Sequence, residues 1–288
     1  MNSRFSTFGS ILLLLLSLLL VLFLTLHSKV SFPNPPPDNP IEIHNQNHHH
    51  NHSSSLQTSD DNLDPAFRVF FHFNELKPGK IMPIYFPIKD PSKTPHLLPR
   101  NESDSIPFSS SQLPTILKFF SFSNDSKQAK AMEDTLKHCE FEPLNGERKF
   151  CATSLESMMD SAIEIFGPGS RLKVMMTTHV SDHKAAFQNY TIVKVPKEIL
   201  APRILACHTL PYPYAVLYCH SQESDNRLFE VSLNGENGER VEATAICHMN
   251  TTQWDPDHMA FRVLGIKPGG SPVCHFFPAD NLVWIPVP

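Results

Sequence analysis

The dipeptide Cys-His occurs four times, as Cys207-His208, Cys219-His220, Cys247-His248 and Cys274-His275, with 10, 26 and 25 residues between successive pairs. Of the six cysteines, only Cys139 and Cys151 lie outside this array. Thiol and imidazole side by side offer two chemistries. Paired thiols close disulfides, while imidazoles bind metal ions or move protons near neutral pH. With the thiols committed to disulfides, metal chemistry falls to His208, His220, His248 and His275. His258, in Trp254-Asp255-Pro256-Asp257-His258, is a further candidate for proton transfer beside them, and the five histidines make up the candidate catalytic set.

The residues that carry the pairs read as strands: 204–208, 214–220 and 241–248 are apolar and β-branched runs bounded by turn residues. Successive side chains of a strand point to opposite faces. Each Cys can therefore enter a packed core while its His faces the other way. A hairpin folded about Pro213 places Cys207 opposite Cys219, and makes His208 and His220 diagonal neighbours on the other face. A slip of one residue destroys that arrangement.

The compartment decides which metal suits such a site. One Arg (Arg4) precedes an apolar run, 11–26, of a length between a signal peptide and a spanning helix. Residues 1–28 therefore read as a signal peptide or a signal anchor, and the chain has contact with a membrane only if that segment is retained. Either way the remainder enters the secretory lumen. An even number of cysteines agrees with disulfide formation there. Asn51, Asn101, Asn124, Asn189 and Asn250 each begin an Asn-x-Ser/Thr glycosylation sequon. Zinc on Cys and His needs reduced thiolates; in an oxidising lumen, copper on imidazoles is the better match. The net charge of −5 and the absence of a basic block give no support to nucleic-acid binding.

Residues 29–68 form a linker rich in Pro, His, Asn and Ser, with no repeats; His48, His49 and His50 there read as part of a polar tether. Phe67–Pro87 alternates around Lys77-Pro78-Gly79 and predicts a β-hairpin. Helices are expected over 109–120, 126–138 and 153–166. The last carries a Thr153/Glu156 capping box, an apolar stripe of Leu155, Met158, Met159, Ala162, Ile163 and Phe166, and a Gly167-Pro168 stop. Cys139 and Cys151, between two of these helices, read as a structural disulfide. Strands follow over 172–180, 190–195, 204–220, 228–233, 241–248, 261–266 and 282–285, with a turn at Gly235-Glu236-Asn237-Gly238. The fold class is α+β, with a helical N-terminal half and an antiparallel β C-terminal half.

The Cys-His array resembles the plant BURP domain, in which four such pairs with these spacings stand near the C-terminus. Val69-Phe70-Phe71, Leu76-Lys77-Pro78-Gly79-Lys80, Ile106-Pro107-Phe108-Ser109-Ser110, Cys151-Ala152-Thr153-Ser154-Leu155-Glu156-Ser157-Met158, Pro213-Tyr214-Ala215-Val216 and Pro272-Val273-Cys274-His275-Phe276 agree with it as well. The likeness spans residues 69–288 and implies a disulfide-braced domain in the plant secretory pathway: extracellular, in the cell wall or in a vacuole. Asn281 departs from the pattern, standing where the family often has His.

The resemblance implies two kinds of function. Some similar BURP proteins are copper-dependent peptide cyclases that crosslink Tyr or Trp side chains, several of them on a peptide in their own N-terminal region. The linker here contains neither Tyr nor Trp, so the expected substrate is a separate peptide. Other relatives are seed or stress proteins, or a non-catalytic companion of a wall-degrading polygalacturonase. For those, cell-wall polysaccharide or protein is the expected partner.

Overall fold

Alternation of apolar and polar side chains, repeated over thirteen short strands among the described residues, builds two antiparallel sheets. The computed structural model describes residues 67–287 except 88–89, 91, 182–185 and 224. The N-terminal segment, Asn51 and the linker histidines lie outside the described residues. Among the described residues no helix is long and apolar enough to cross a membrane.

The larger sheet has the order β1(Phe70–His72), β12(Val273–Phe276), β11(Arg240–His248), β10(Asn226–Gly235), β6(Phe187–Ile192), β2(Ile81–Tyr85). β5(Thr178–His179) is added to β11, and β7(Lys197–Ile199) to β10. Tyr85 N–H donates to the Arg68 carbonyl at 3.0 Å, tying the β2 end of this order back to the β1 end. The sheet thus curls around one core that includes Phe71, Ile84, Phe86, Tyr190, Val231 and Phe276.

The smaller sheet has the order β3(Glu147–Ala152), β9(Val216–Gln222), β8(Leu205–Leu210), β13(Leu282–Val287), β4(Arg171–Met175). One face packs on the helix Leu155–Phe166 through Met158, Ala162 and Ile165. Beside it, helices Leu113–Phe119 and Lys127–Glu140 pack on Tyr212 and Tyr214. Ser126 caps the second of these, its Oγ accepting from Ala129 N–H at 3.0 Å. The other face of the smaller sheet meets the larger one. Ala206, Val283 and Ile285 interlock there with Leu228, Ile246 and Phe277.

Four expectations need correction. The N-terminal half is not a helical half: its strands β1 and β2 lie in the larger sheet and β3 in the smaller, so the helices are insertions between strands. Phe67–Pro87 is not a hairpin either, because β1 pairs with β12 and β2 with β6. The intervening loop is held instead by Gly79 N–H on the Ile192 carbonyl, 2.8 Å.

The apolar run 261–266 is a helical turn, Met259–Leu264, not a strand. It is capped by His258 at its start, and the left-handed Gly265 (φ 64°) stops it. In the helix Leu155–Phe166 the capping box is Ser154 with Ser157, one residue beyond the Thr153/Glu156 expectation. That shift rotates the buried stripe onto Met158, Ala162 and Ile165, and leaves Leu155 and Ile163 exposed.

Candidate metal centre

All six cysteines are paired: Cys139–Cys151, Cys207–Cys219 and Cys247–Cys274. The last two obey one geometric rule. In the β8–β9 pair, Cys207 stands opposite Cys219, with Ala206 opposite His220 and His208 opposite Tyr218. In the β11–β12 pair, Cys247 stands opposite Cys274, with Ile246 opposite His275 and His248 opposite Val273. The Cα atoms of each bridged pair are 4.0 Å apart.

Cys207 and Cys219 enter the core under the helix, and Cys247 and Cys274 the core of the curled sheet. Alternation then sends all four histidines into the layer between the sheets, beside Ala206 and Ile246. The hairpin expected about Pro213 has the expected register. The pairing of Cys247 with Cys274 was left open by the sequence, since six cysteines allow 15 connectivities.

The imidazoles converge. Ring centroids are 5.5 Å apart for His208–His220, 5.5 Å for His248–His275 and 5.9 Å for His208–His275, the last contact bridging the two sheets. His248 Nε2 and His275 Nε2 approach to 3.4 Å. Aromatic rings line the group: Phe277 stacks on His208 at 5.1 Å, Tyr218 on His220 at 5.2 Å, and Trp254 lies edge-on to His248 at 4.9 Å. Burial holds the pKa of His208 and of His248 well below the ordinary histidine value, assisted by the neighbouring imidazoles. Burial likewise pushes His275 down to about 4, against a weak opposing hydrogen bond to the Phe276 carbonyl. At neutral pH these rings carry no charge, the form in which imidazole binds a metal.

Each ring is oriented through Nδ1, and two of the partners, Glu147 and Asn226, carry no signal in the sequence. His220 Nδ1 lies 3.1 Å from Glu147 Oε1, across 73 residues of chain. A carboxylate only accepts, so His220 Nδ1 donates to Glu147. Burial raises the pKa of Glu147, but hydrogen bonds from His220, Leu144 N–H and Tyr218 outweigh it and keep the carboxyl below its ordinary value. His248 Nδ1 donates to Asn226 Oδ1 at 2.8 Å, and His275 Nδ1 faces the Phe276 carbonyl at 3.4 Å. His208 Nδ1 lies 3.1 Å from Asn281 Nδ2.

As they stand, no three or more His, Cys, Asp or Glu side chains among the described residues are placed to hold a metal ion. The donor chemistry nevertheless fits one. Two nitrogens 3.4 Å apart can both lie about 2.0–2.1 Å from a single ion at a roughly tetrahedral angle. A third ligand requires a shift of the His208 or His220 ring.

A narrow cleft with room for about one water reaches this layer, lined by Ile204, Ala206, His220, Gln222, Asn226, Ile246 and His248. Gln222 Oε1 is buried and finds no hydrogen-bond partner among the described residues. His258 reaches the four through Trp254, whose ring lies 4.7 Å from that of His258 and 4.9 Å from that of His248. Its Nδ1 caps the helix Met259–Leu264 by accepting from Ala260 N–H at 3.2 Å, and its ring packs on Trp254 and Phe70. Of the sequons, Asn101, Asn124 and Asn250 are exposed, whereas Asn189 is half-buried on β6 with its amide on Glu236.

A family profile described as the BURP domain matches residues 69–286. Among curated proteins, the chain is 49% identical over 227 residues to BURP domain-containing protein BNM2A of Brassica napus, covering 77% of this chain and 80% of that one. It is 46% identical over 227 residues to BURP domain protein USPL1 of Arabidopsis thaliana, covering 77% and 81%. To BURP domain protein RD22 of Arabidopsis thaliana it is 40% identical over 224 residues, covering 77% and 56%.

Proposed function

Because the chain belongs to the BURP-domain family of plant proteins, we propose that it is a secreted copper-binding protein that crosslinks Tyr or Trp side chains of a separate peptide by oxidation. The observation that carries this reading is the convergence of His208, His220, His248 and His275 from two disulfide-closed strand pairs, three of them held neutral by burial. Neutral imidazoles are good ligands for Cu(II), which sits near the top of the divalent affinity order.

Copper bound there would supply a one-electron couple between a substrate ring and dioxygen. The chain's own residues supply position. Glu147 and Asn226 orient His220 and His248 through Nδ1. The narrow cleft beside them is lined by His220, His248, Gln222 and Asn226. Closing one crosslink removes two electrons and two protons from the peptide, which dioxygen accepts as hydrogen peroxide. All five Tyr and both Trp of this chain lie after residue 84, so a peptide supplied in trans is the substrate class. Glycosylation at the sequons and residence in the wall, apoplast or vacuole belong to the same proposal.

A second reading, a non-enzymatic wall or seed protein, draws support from the packing of Phe277, Tyr218 and Trp254 against the imidazoles. Such stacking also stabilises histidines as ordinary core residues. One experiment separates the two readings. Purified protein is analysed for metal and incubated under oxygen with Tyr- and Trp-containing peptides. Copper with loss of two hydrogens from the peptide supports the enzyme. Copper-free protein that binds wall polysaccharide supports the alternative.

A further inference from the structure

Asn281 is the one orienting partner that points a donor at its histidine. Its amide is not free to flip. Thr209 backbone N–H, which can only donate, lies 3.1 Å from Asn281 Oδ1. The Thr209 hydroxyl, 3.3 Å from the same oxygen, is engaged more closely by Asp280 Oδ2 at 2.6 Å. With Oδ1 held by the backbone, Asn281 Nδ2 must face His208, and at 3.1 Å it donates to Nδ1. A neutral imidazole has one N–H, so the proton of His208 sits on Nε2. The other three rings are set the opposite way, with Nδ1 facing a carboxylate, an amide oxygen or a carbonyl.

We propose that Asn281 makes His208 a hydrogen-bond donor to the centre, so that His220, His248 and His275 are the metal-binding set and His208 Nε2–H holds a small anionic or oxygen ligand beside them. The second half of this statement rests on the copper reading; the assignment of the His208 proton does not. The structure supports the division in two further ways. His208 is the ring packed flat against Phe277, 17° from parallel, which restrains it from turning. It also lies within reach of the rings on both sheets, 5.5 Å from His220 and 5.9 Å from His275, where a donor can serve a ligand shared between them.

The test begins on metal-free, disulfide-intact protein labelled with ¹⁵N. Long-range ¹H–¹⁵N correlation at pH 7 reads which nitrogen of each histidine is protonated. The expected result is Nε2–H for His208 and Nδ1–H for His220, His248 and His275. Nδ1–H on His208 in the native chain overturns the proposal without any variant. In Asn281→Asp the carboxylate accepts instead, and His208 should change to Nδ1–H; Asn281→Leu, which neither donates nor accepts, should leave a mixture of both forms. An unchanged Nε2–H form in both variants would show that Asn281 does not set it.

Cu(II) is then added and the bound imidazoles are counted by pulsed electron paramagnetic resonance. Three are expected in the native chain and four in Asn281→Asp, with at least tenfold tighter binding in the variant. Four in the native chain overturns the division of roles. A native chain that binds no copper overturns the function proposed above and the division with it, while the tautomer result still stands or falls by itself.

Discussion

His248 Nε2 and His275 Nε2 face each other at 3.4 Å, on adjacent strands joined by the Cys247–Cys274 bridge. Their Nδ1 atoms face acceptors, Asn226 Oδ1 and the Phe276 carbonyl, so two Nε2 lone pairs are directed into the same space. Such an arrangement is relieved by a metal ion between them.

Replacing His248 or His275 by Ala should therefore weaken Cu(II) binding at least tenfold, measured by equilibrium dialysis with metal analysis. Substituting His48, His49 and His50 together should change nothing. Equal losses from the linker substitutions would move the binding site out of the domain.

Glu147→Ala should lower copper affinity by roughly 10–100-fold, the usual effect of removing a partner that orients a metal-binding imidazole. Because Glu147 also accepts from Leu144 N–H at 2.9 Å and the Tyr218 hydroxyl at 3.3 Å, the stability of the variant is measured beside its affinity. Native affinity in the variant would mean that His220 needs no such support.

Acid should act through the depressed histidines. A group whose folded pKa lies below its unfolded value contributes stability that is complete above the unfolded pKa, about 6.5 for His, and is lost as pH falls. For His275, whose folded value is about 4, the metal-free protein should lose on the order of 3 kcal/mol between about pH 6.5 and 4. Copper should be retained to lower pH than free imidazole allows, since the competing proton binds these rings poorly. Denaturant titrations at pH 7, 5.5 and 4 test the first statement. Copper release beginning near pH 6.5 would contradict the second.

Alkylation before reduction should label no cysteine, because all six are bridged. Replacing Cys247 and Cys274 together by Ala should cost about 3–4 kcal/mol from the loop they close, and replacing Cys207 and Cys219 about 3 kcal/mol. Each replacement should also loosen the adjacent histidine pair, read as weaker copper binding. A stability loss with unchanged copper affinity would separate the bridges from the site.

Much of the site was legible in the sequence because it depends on alternation alone. A Cys and the His after it must face opposite sides of a strand, and the turn at Pro211-Tyr212-Pro213 sets Cys207 against Cys219. The Cys139–Cys151 bridge was readable for the same local reason, a short loop between two elements. Local patterns also located the helix Lys127–Glu140.

What only the tertiary structure decided involves partners far apart in the chain. Sheet packing brings His208 of one sheet against His275 of the other, and no spacing of residues encodes that. Glu147 and Asn281 reach their histidines across more than seventy residues, so the proton positions on the rings were invisible beforehand. The run 261–266 has strand-like composition, yet its backbone follows the His258 cap and the Gly265 stop, because capping hydrogen bonds outweigh a weak β preference in so short a segment. Strands β1 and β2 were legible as strands but not as neighbours of β12 and β6, since pairing is chosen by which core their apolar faces can share.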